Sequence, residues 1–139
     1  MIEFHFKSDV VLEDLSNYSD WINRILESES YTAGQIDYVL CTDDYLHELN
    51  VEYLNHDTLT DIITFDYSEG SVVSGDIFIS TDRVKDNAID FDVDWKIELL
   101  RVMSHGVLHL VGYGDKSFED KKLMREKEDE KIKMFHVEP

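Results

Sequence analysis

The chain has 139 residues, of which 42% are hydrophobic and 12% aromatic, and its formal net charge at pH 7 is -18. This composition excludes a disordered protein and predicts one globular domain over residues 1–139, and no apolar stretch approaches the roughly 18 residues of a membrane span. The N-terminus lacks the regions of a signal peptide, and the single Cys41 is most simply a reduced core thiol, so we expect a cytoplasmic protein.

The first half of the chain predicts two strands, each followed by a helix. Apolar and polar residues alternate over residues 2–6, as in a half-buried strand. Ser19 precedes apolar residues at helical spacing and therefore predicts a helix N-cap. Residues 36–41 predict a second strand, after which Asp43 or Asp44 can cap another helix.

The next segment predicts a hairpin and a short helix. Residues 61–67 and 72–80 are rich in β-branched and aromatic residues, and a Ser/Gly turn separates them. Two such strands joined by a short turn are typical of an antiparallel pair. Ser80 or Thr81 then caps a helix that runs to about Ala88.

Two helices complete the predicted fold. The first, from Trp95 to about Val111, is apolar around most of its circumference and is therefore predicted to be central and buried. The second begins after Ser117, is highly charged, and is predicted to be a solvated surface helix with Leu123, Ile132 and Phe135 facing the core. The predicted fold class is α+β, a small mixed sheet of about four strands packed by helices.

The central helix carries a pattern of metal-ligand residues, as in zincin-like folds. His105 and His109 are four residues apart, so their imidazoles lie on one face of the helix. Gly112 can end the helix, and the turn that follows can return Asp115 toward both imidazoles. Two imidazoles and a carboxylate, with a fourth position open, are typical of a catalytic zinc site. The spacing predicts one zinc ion per chain, whereas the histidine pair alone would also fit two partly buried, hydrogen-bonded side chains.

With two upstream motifs, this segment resembles the YbeY family of bacterial endoribonucleases, the rRNA maturation factors. The family signature His-Gly-x-x-His-Leu-x-Gly-Tyr is matched from His105 to Tyr113. One upstream motif is Leu49-Asn50-x-x-Tyr53 followed by Asp57-x-x-Thr60-Asp61-x-x-x-Phe65, and the other is the predicted strand Gly75-Asp76-Ile77-x-Ile79-Ser80.

The resemblance covers most of the chain, from about Val39 to the C-terminus. It implies a single-strand-specific, metal-dependent endoribonuclease that acts in 16S rRNA 3′-end maturation and ribosome quality control. It also implies ribosomal proteins or a ribosome-associated GTPase as partners, and we expect neither membrane nor DNA binding.

Two positions depart from the family pattern. Asp115 stands where the family usually has a histidine as the third ligand, and carboxylate oxygen is also a competent zinc ligand. Leu54 stands where the family usually has an arginine that serves the RNA phosphate. His56 or a basic residue elsewhere would have to compensate, unless the metal alone holds the phosphate.

The net charge of -18 is unusual for a protein that binds RNA. We expect a local cationic cleft around the metal to overcome this charge. Its sources would be Arg83, Lys85, Lys96 and Arg101. The alternative is that a protein partner delivers the chain to RNA, so that affinity for naked RNA is weak.

The general acid or base is not identified by the sequence. His56, Asp57 and Asp61 are candidates because they lie in or beside the polar loop of the second motif, although they also suit a turn and a strand start. A zinc peptidase is an alternative function, but its general base would be a Glu directly after the first histidine, where this chain has Gly106. A second alternative is a non-catalytic ribosome assembly factor braced by metal.

Overall fold

The computed structural model describes residues 1–54 and 60–135, and its elements follow the α+β pattern predicted from the sequence. In chain order they are β1 (Ile2–Lys7), α1 (Leu15–Ser28), β2 (Thr32–Cys41), α2 (Asp43–Leu54), β3 (Ile62–Asp66), β4 (Val72–Ser80), α3 (Thr81–Asp90), α4 (Trp95–Leu110) and α5 (Phe118–Phe135). Within these ranges, we find no helix that is both long and apolar enough to span a membrane.

The four strands form one mixed sheet with the order β1-β2-β4-β3. The pairs β1–β2 and β2–β4 are parallel, whereas β3 and β4 form the predicted antiparallel hairpin. Strand β2 begins at Thr32, four residues earlier than predicted, and its pairing with β4 is irregular between Ala33 and Ile36. This irregularity explains the missed start, because the apolar run predicted as the strand begins only after it.

Helices cover both faces of the sheet. Successive side chains of β2 point to opposite faces, so Tyr38 and Leu40 join the larger core and Val39 and Cys41 the smaller one on the α2 side. Burial raises the pKa of the Cys41 thiol to about 12, with further contributions from Asp43 and Asp82. The cysteine is therefore the inert core thiol predicted from the sequence.

Helix α4 lies in the larger core and approaches the sheet closely, as its apolar circumference predicts. The Tyr38 hydroxyl donates a buried hydrogen bond of 2.9 Å to the Met103 carbonyl. A Cβ atom at Gly106 would lie only 2.9 Å from Ile77 Cγ2 and 3.0 Å from Ile62 Cδ1. The glycine therefore allows the helix that carries the two histidines to pack against the strands.

Two predicted helix caps are present, and two are wrong. Side-chain oxygens of Ser80 and Ser117 accept hydrogen bonds from backbone N–H groups in the first turns of α3 and α5. Asp43 and Asp44 do not cap α2 but lie in its first turn, and the Oγ1 atom of Thr42 accepts the hydrogen bond from the Tyr45 N–H at 3.2 Å. Helix α1, however, begins at Leu15 and not after Ser19, and it follows Asp14, which has a left-handed φ of 53° and makes no side-chain cap. Because α1 begins without a side-chain cap, the sequence has no N-cap hydrogen-bond pattern that would mark its first residue.

The last helix is less solvated than its charge predicts. Leu123 was expected to face the core but is 43% exposed, and Met124 is buried instead. Glu128 and Lys131 are also buried. The inward face of α5 therefore combines apolar residues with charged ones that pair with α1 and α4.

Candidate metal centre

The three predicted ligands converge. The Oδ2 atom of Asp115 lies 3.4 Å from His105 Nε2 and 3.2 Å from His109 Nε2. One potential ligand atom from each residue lies within 4.8 Å of the other two, so the group could hold a metal ion. All three side chains are partly exposed, which leaves the centre open to a further ligand.

The turn after α4 brings Asp115 back over the helix. Gly112 has a left-handed φ of 108°, which accounts for a glycine at this position. The backbone N–H of Tyr113 donates to the Leu108 carbonyl at 3.1 Å, and its hydroxyl donates to Glu29 Oε1 at 2.6 Å. The turn that carries the carboxylate is therefore attached both to α4 and to the end of α1.

Glu128 contacts His105 through the ring nitrogen that does not face Asp115, and this residue was not predicted from the sequence. Its Oε2 atom lies 2.7 Å from His105 Nδ1, and its Oε1 atom accepts a hydrogen bond of 3.1 Å from Arg101. This contact directs the other ring nitrogen of His105 toward Asp115, an arrangement common in histidine–metal sites. The sequence did contain a sign that Glu128 faces inward, because the apolar Met124 and Ile132 lie one helical turn before and after it. Both of these residues are buried in the structure.

Two groups that line the cleft have raised pKa values. Burial disfavours the charged form of His105, but its hydrogen bond to Glu128 and the nearby carboxylates outweigh burial and raise its pKa. Burial is the main cause that raises the pKa of Asp61, although the charge of His105 opposes it. Asp61 thus lies in the electrostatic environment of the centre, where a proton acceptor would be useful.

The centre opens into a cleft of about 420 Å³. Its acidic lining residues are Asp61, Glu98, Asp115 and Glu128, whereas its arginines are Arg101 and Arg125. The expected cationic cleft is therefore wrong for the described residues. The other two candidates for catalysis, His56 and Asp57, lie outside the residues that the structure describes.

Of the four residues predicted to make the cleft cationic, only Arg101 lines it. Arg83 pairs with Asp43 and Asp86, and Lys85 stands 6.0 Å from the centroid of the Trp95 ring. Lys96 is exposed on α4 and does not line the cleft. Arg101 does line it, but its guanidinium is paired with Glu128 at 3.1 Å and Asp129 at 2.7 Å.

Known proteins resemble this chain over nearly its whole length. The family model described as Endoribonuclease YbeY matches residues 3–136. The Endoribonuclease YbeY of Flavobacterium johnsoniae is 55% identical over 138 residues, covering 99% of both chains. That of Flavobacterium psychrophilum is 53% identical over 137 residues, covering 99% of this chain and 98% of the relative.

A solved structure shows the same fold. The solution structure of a Thermotoga maritima protein matches with a TM-score of 0.70 and 28% identity, covering 97% of this chain and 89% of the other. The sequence matches and the structural match extend over nearly the whole chain and include the element that carries the histidines. The chain belongs to the Endoribonuclease YbeY family.

Proposed function

We propose that this protein is a zinc-dependent endoribonuclease that cleaves single-stranded RNA. The observation that carries the proposal is the convergence of His105, His109 and Asp115 in the cleft of a chain that belongs to this family. One zinc ion per chain would be held by these three side chains. Imidazole nitrogen and carboxylate oxygen suit zinc, and three protein ligands leave a position open for catalysis.

The roles of the residues follow from their positions. Bound zinc would supply Lewis acidity toward a phosphoryl oxygen and toward water. Glu128 holds the ring of His105 in the orientation that presents Nε2 to the metal. Asp61, which lines the same cleft, is our candidate for accepting a proton, with His56 and Asp57 as further candidates.

The geometry does not favour a zinc peptidase. The base of that mechanism would be a Glu at the position of Gly106. A side chain there would collide with Ile77 and Ile62, because this face of α4 lies against the sheet. The metal centre therefore has no room for the residue that peptide hydrolysis would require.

The cellular role we propose is the maturation of the 16S rRNA 3′ end and ribosome quality control in the cytoplasm. A single catalytic domain over residues 1–139 is supported by the family match, which extends over residues 3–136. The acidic lining of the cleft and the net charge of -18 support delivery by a ribosomal protein or a ribosome-associated GTPase over capture of free RNA. Leu54, 40% exposed at the end of α2, adds no positive charge.

Metal analysis combined with RNA cleavage tests the proposal. Purified protein should contain one zinc ion per chain and should cut single-stranded RNA in preference to a duplex. His109→Ala should lose metal and cleavage while keeping its helix, because alanine is the best helix former. Lys133→Ala, an exposed change on α5, is the matched control. Full cleavage by a metal-free His109→Ala protein would show that the chemistry lies elsewhere.

A further inference from the structure

The rim of the cleft carries an aromatic ring and a guanidinium that the metal centre does not use. Phe91 and Arg125 both line the cleft, and the Arg125 Cζ atom lies 6.0 Å from the centroid of the Phe91 ring. Phe91 is 55% exposed, although a phenylalanine normally buries its ring. The ring is therefore accessible to a ligand in the cleft.

Backbone hydrogen bonds fix the turn between α3 and α4 that carries Phe91. The N–H of Phe91 donates to the Asn87 carbonyl at 2.9 Å, and that of Val93 donates to the Ala88 carbonyl at 3.0 Å. Asp92 between them adopts a left-handed φ of 54°, which turns the chain sharply from α3 into α4. The ring is therefore displayed from a fixed turn and keeps its position relative to the cleft.

Arg125 differs from the other arginine of the cleft in how its charge is used. Arg101 is paired with Glu128 and Asp129. For Arg125, by contrast, we find no carboxylate oxygen within 4 Å among residues 1–54 and 60–135. Its charge acts on the buried Glu98 carboxyl only at longer range, and its Cζ atom lies over the Phe91 ring. A guanidinium over an aromatic face stays available for a phosphate, because its N–H donors remain directed outward.

We propose that Phe91 and Arg125 form a nucleotide platform that binds a nucleotide of single-stranded RNA next to the cleaved bond. Phe91 stacks on the base, and Arg125 contacts a phosphate. The cleft, at about 420 Å³, lies within the size range of small-ligand sites, and both the platform and the metal centre line it. Base stacking on an aromatic ring tolerates any sequence, since every base has a π-face.

The platform explains how an acidic cleft can admit RNA. Four carboxylates line the cleft, and one of its two arginines is already paired, so Arg125 is the cation left for the substrate in the described lining. The inference rests on the proposed endoribonuclease function, because it concerns how that same site holds its substrate.

Steady-state cleavage of single-stranded RNA by the metal-loaded protein tests the platform. Phe91→Ala should raise KM about 5- to 150-fold and leave kcat nearly unchanged, because stacking contributes to substrate and transition state alike. Phe91→Tyr should restore KM. The matched control is Phe118→Ala, since Phe118 is 83% exposed and lies outside the cleft lining.

Salt titration separates the two roles. With a 2′-O-methylated oligonucleotide confirmed to stay intact, Arg125→Ala should reduce the salt slope of binding by about 0.7, the value for one phosphate contact. Phe91→Ala should weaken binding without changing the slope. Lys133→Ala removes a positive charge elsewhere on α5 and should leave both unchanged. A fluorescent 2-aminopurine placed at successive positions should be quenched at one position by the wild type but not by Phe91→Ala.

The outcomes are distinct for the two proposals. If the wild type cleaves RNA but Phe91→Ala and Arg125→Ala match their controls in KM, binding and quenching, the platform is overturned and the endoribonuclease stands. If the wild type binds the oligonucleotide but cleaves no RNA, the proposed function is overturned, and the binding comparison decides the platform. If the wild type neither binds nor cleaves, both are overturned.

Discussion

The contact between α1 and α5 and the rim of the cleft use charge in opposite ways. Where α5 packs against the end of α1, charged side chains pair with one another. Lys131 is 1% exposed, and its Nζ atom lies 2.8 Å from both Ser28 Oγ and Glu29 Oε2. At the rim, Phe91 and Arg125 are both exposed, and the Arg125 Cζ atom lies 6.0 Å from the centroid of the Phe91 ring.

The difference shows where rigidity and recognition reside. Glu29 also accepts the hydrogen bond from Tyr113, so the pair of the buried Lys131 and the half-buried Glu29 fixes the turn that carries Asp115. Removing an ion pair from water costs desolvation free energy, but the pair gives the turn that carries Asp115 a defined geometry. The rim leaves its cation exposed, where a phosphate can still reach it. Four changes test this contrast, in order of decreasing effect.

Removal of the buried ammonium should have the largest effect. Lys131→Met leaves Glu29 with Lys127 at 3.3 Å and with Tyr113. It should lower the free energy of unfolding by about 2 kcal/mol, because the half-buried Glu29 loses one ammonium partner and Ser28 loses its hydrogen bond. Urea denaturation measures this quantity. Lys133→Ala, exposed two residues later, should change it by less than about 0.5 kcal/mol. Equal effects for the two variants would show that the Lys131–Glu29 pair does not stabilise the contact between α1 and α5.

Loss of charge at Glu128 should weaken the metal centre without unfolding the protein. Glu128→Gln should reduce zinc affinity about 10- to 100-fold, since the residue orients His105 and strengthens it as a ligand. Competition with a zinc chelator measures the affinity. The control is Asp129→Asn, which also meets Arg101 but has a side chain that is 53% exposed and no contact with His105 among those described. An unchanged affinity for Glu128→Gln would remove its positioning role.

The pH dependence of stability should report the Glu29 contacts. Burial alone would raise the pKa of this carboxyl, but the hydrogen bonds from Lys131 and Tyr113 and the nearby ammonium charges outweigh it and lower the pKa below the usual 4.5. A lowered pKa in the folded state stabilises the protein above pH 4.5, and this contribution disappears as the pH falls through the lowered value. Wild type should therefore exceed Glu29→Gln in free energy of unfolding at pH 7, and the gap should close in acid.

The control for that titration is Glu126→Gln, an exposed change on α5. It should shift the free energy of unfolding by less than about 0.5 kcal/mol throughout. Urea denaturation at pH 7, 5, 4 and 3 would give the comparison. A gap between wild type and Glu29→Gln that widens as the pH falls would contradict the stabilising role of the carboxylate.

The smallest effect is expected at the third ligand. Asp115→His substitutes the residue that the family usually has there, and the turn fixed through Tyr113 should present it to the same centre. We expect zinc binding and cleavage to remain within about tenfold of wild type, because both side chains are competent zinc ligands. Metal content and cleavage rate measure this. Asp115→Ala, in contrast, should lose metal, and retention of zinc by that variant would exclude Asp115 as a ligand.

Local patterns determined much of what was predicted correctly. Alternation and helical periodicity identified the hairpin and the central helix, because these signals depend on neighbours in sequence. The convergence of His105, His109 and Asp115 was predictable for the same reason, since one helical turn and one glycine stop relate all three. Similarity to a known family then extended this motif to a function.

Tertiary packing alone decided the rest. Glu128 reaches His105, and Arg125 reaches Phe91, across 23 and 34 positions of sequence, and no local period connects such pairs. The acidic lining of the cleft depends on which charges the fold brings to one place and which of them pair with each other. The start of α1 and the burial of Lys131 were likewise set by contacts between elements. Short-range geometry thus specified the metal ligands, whereas the groups that orient them and those proposed to hold RNA arise only when distant helices pack.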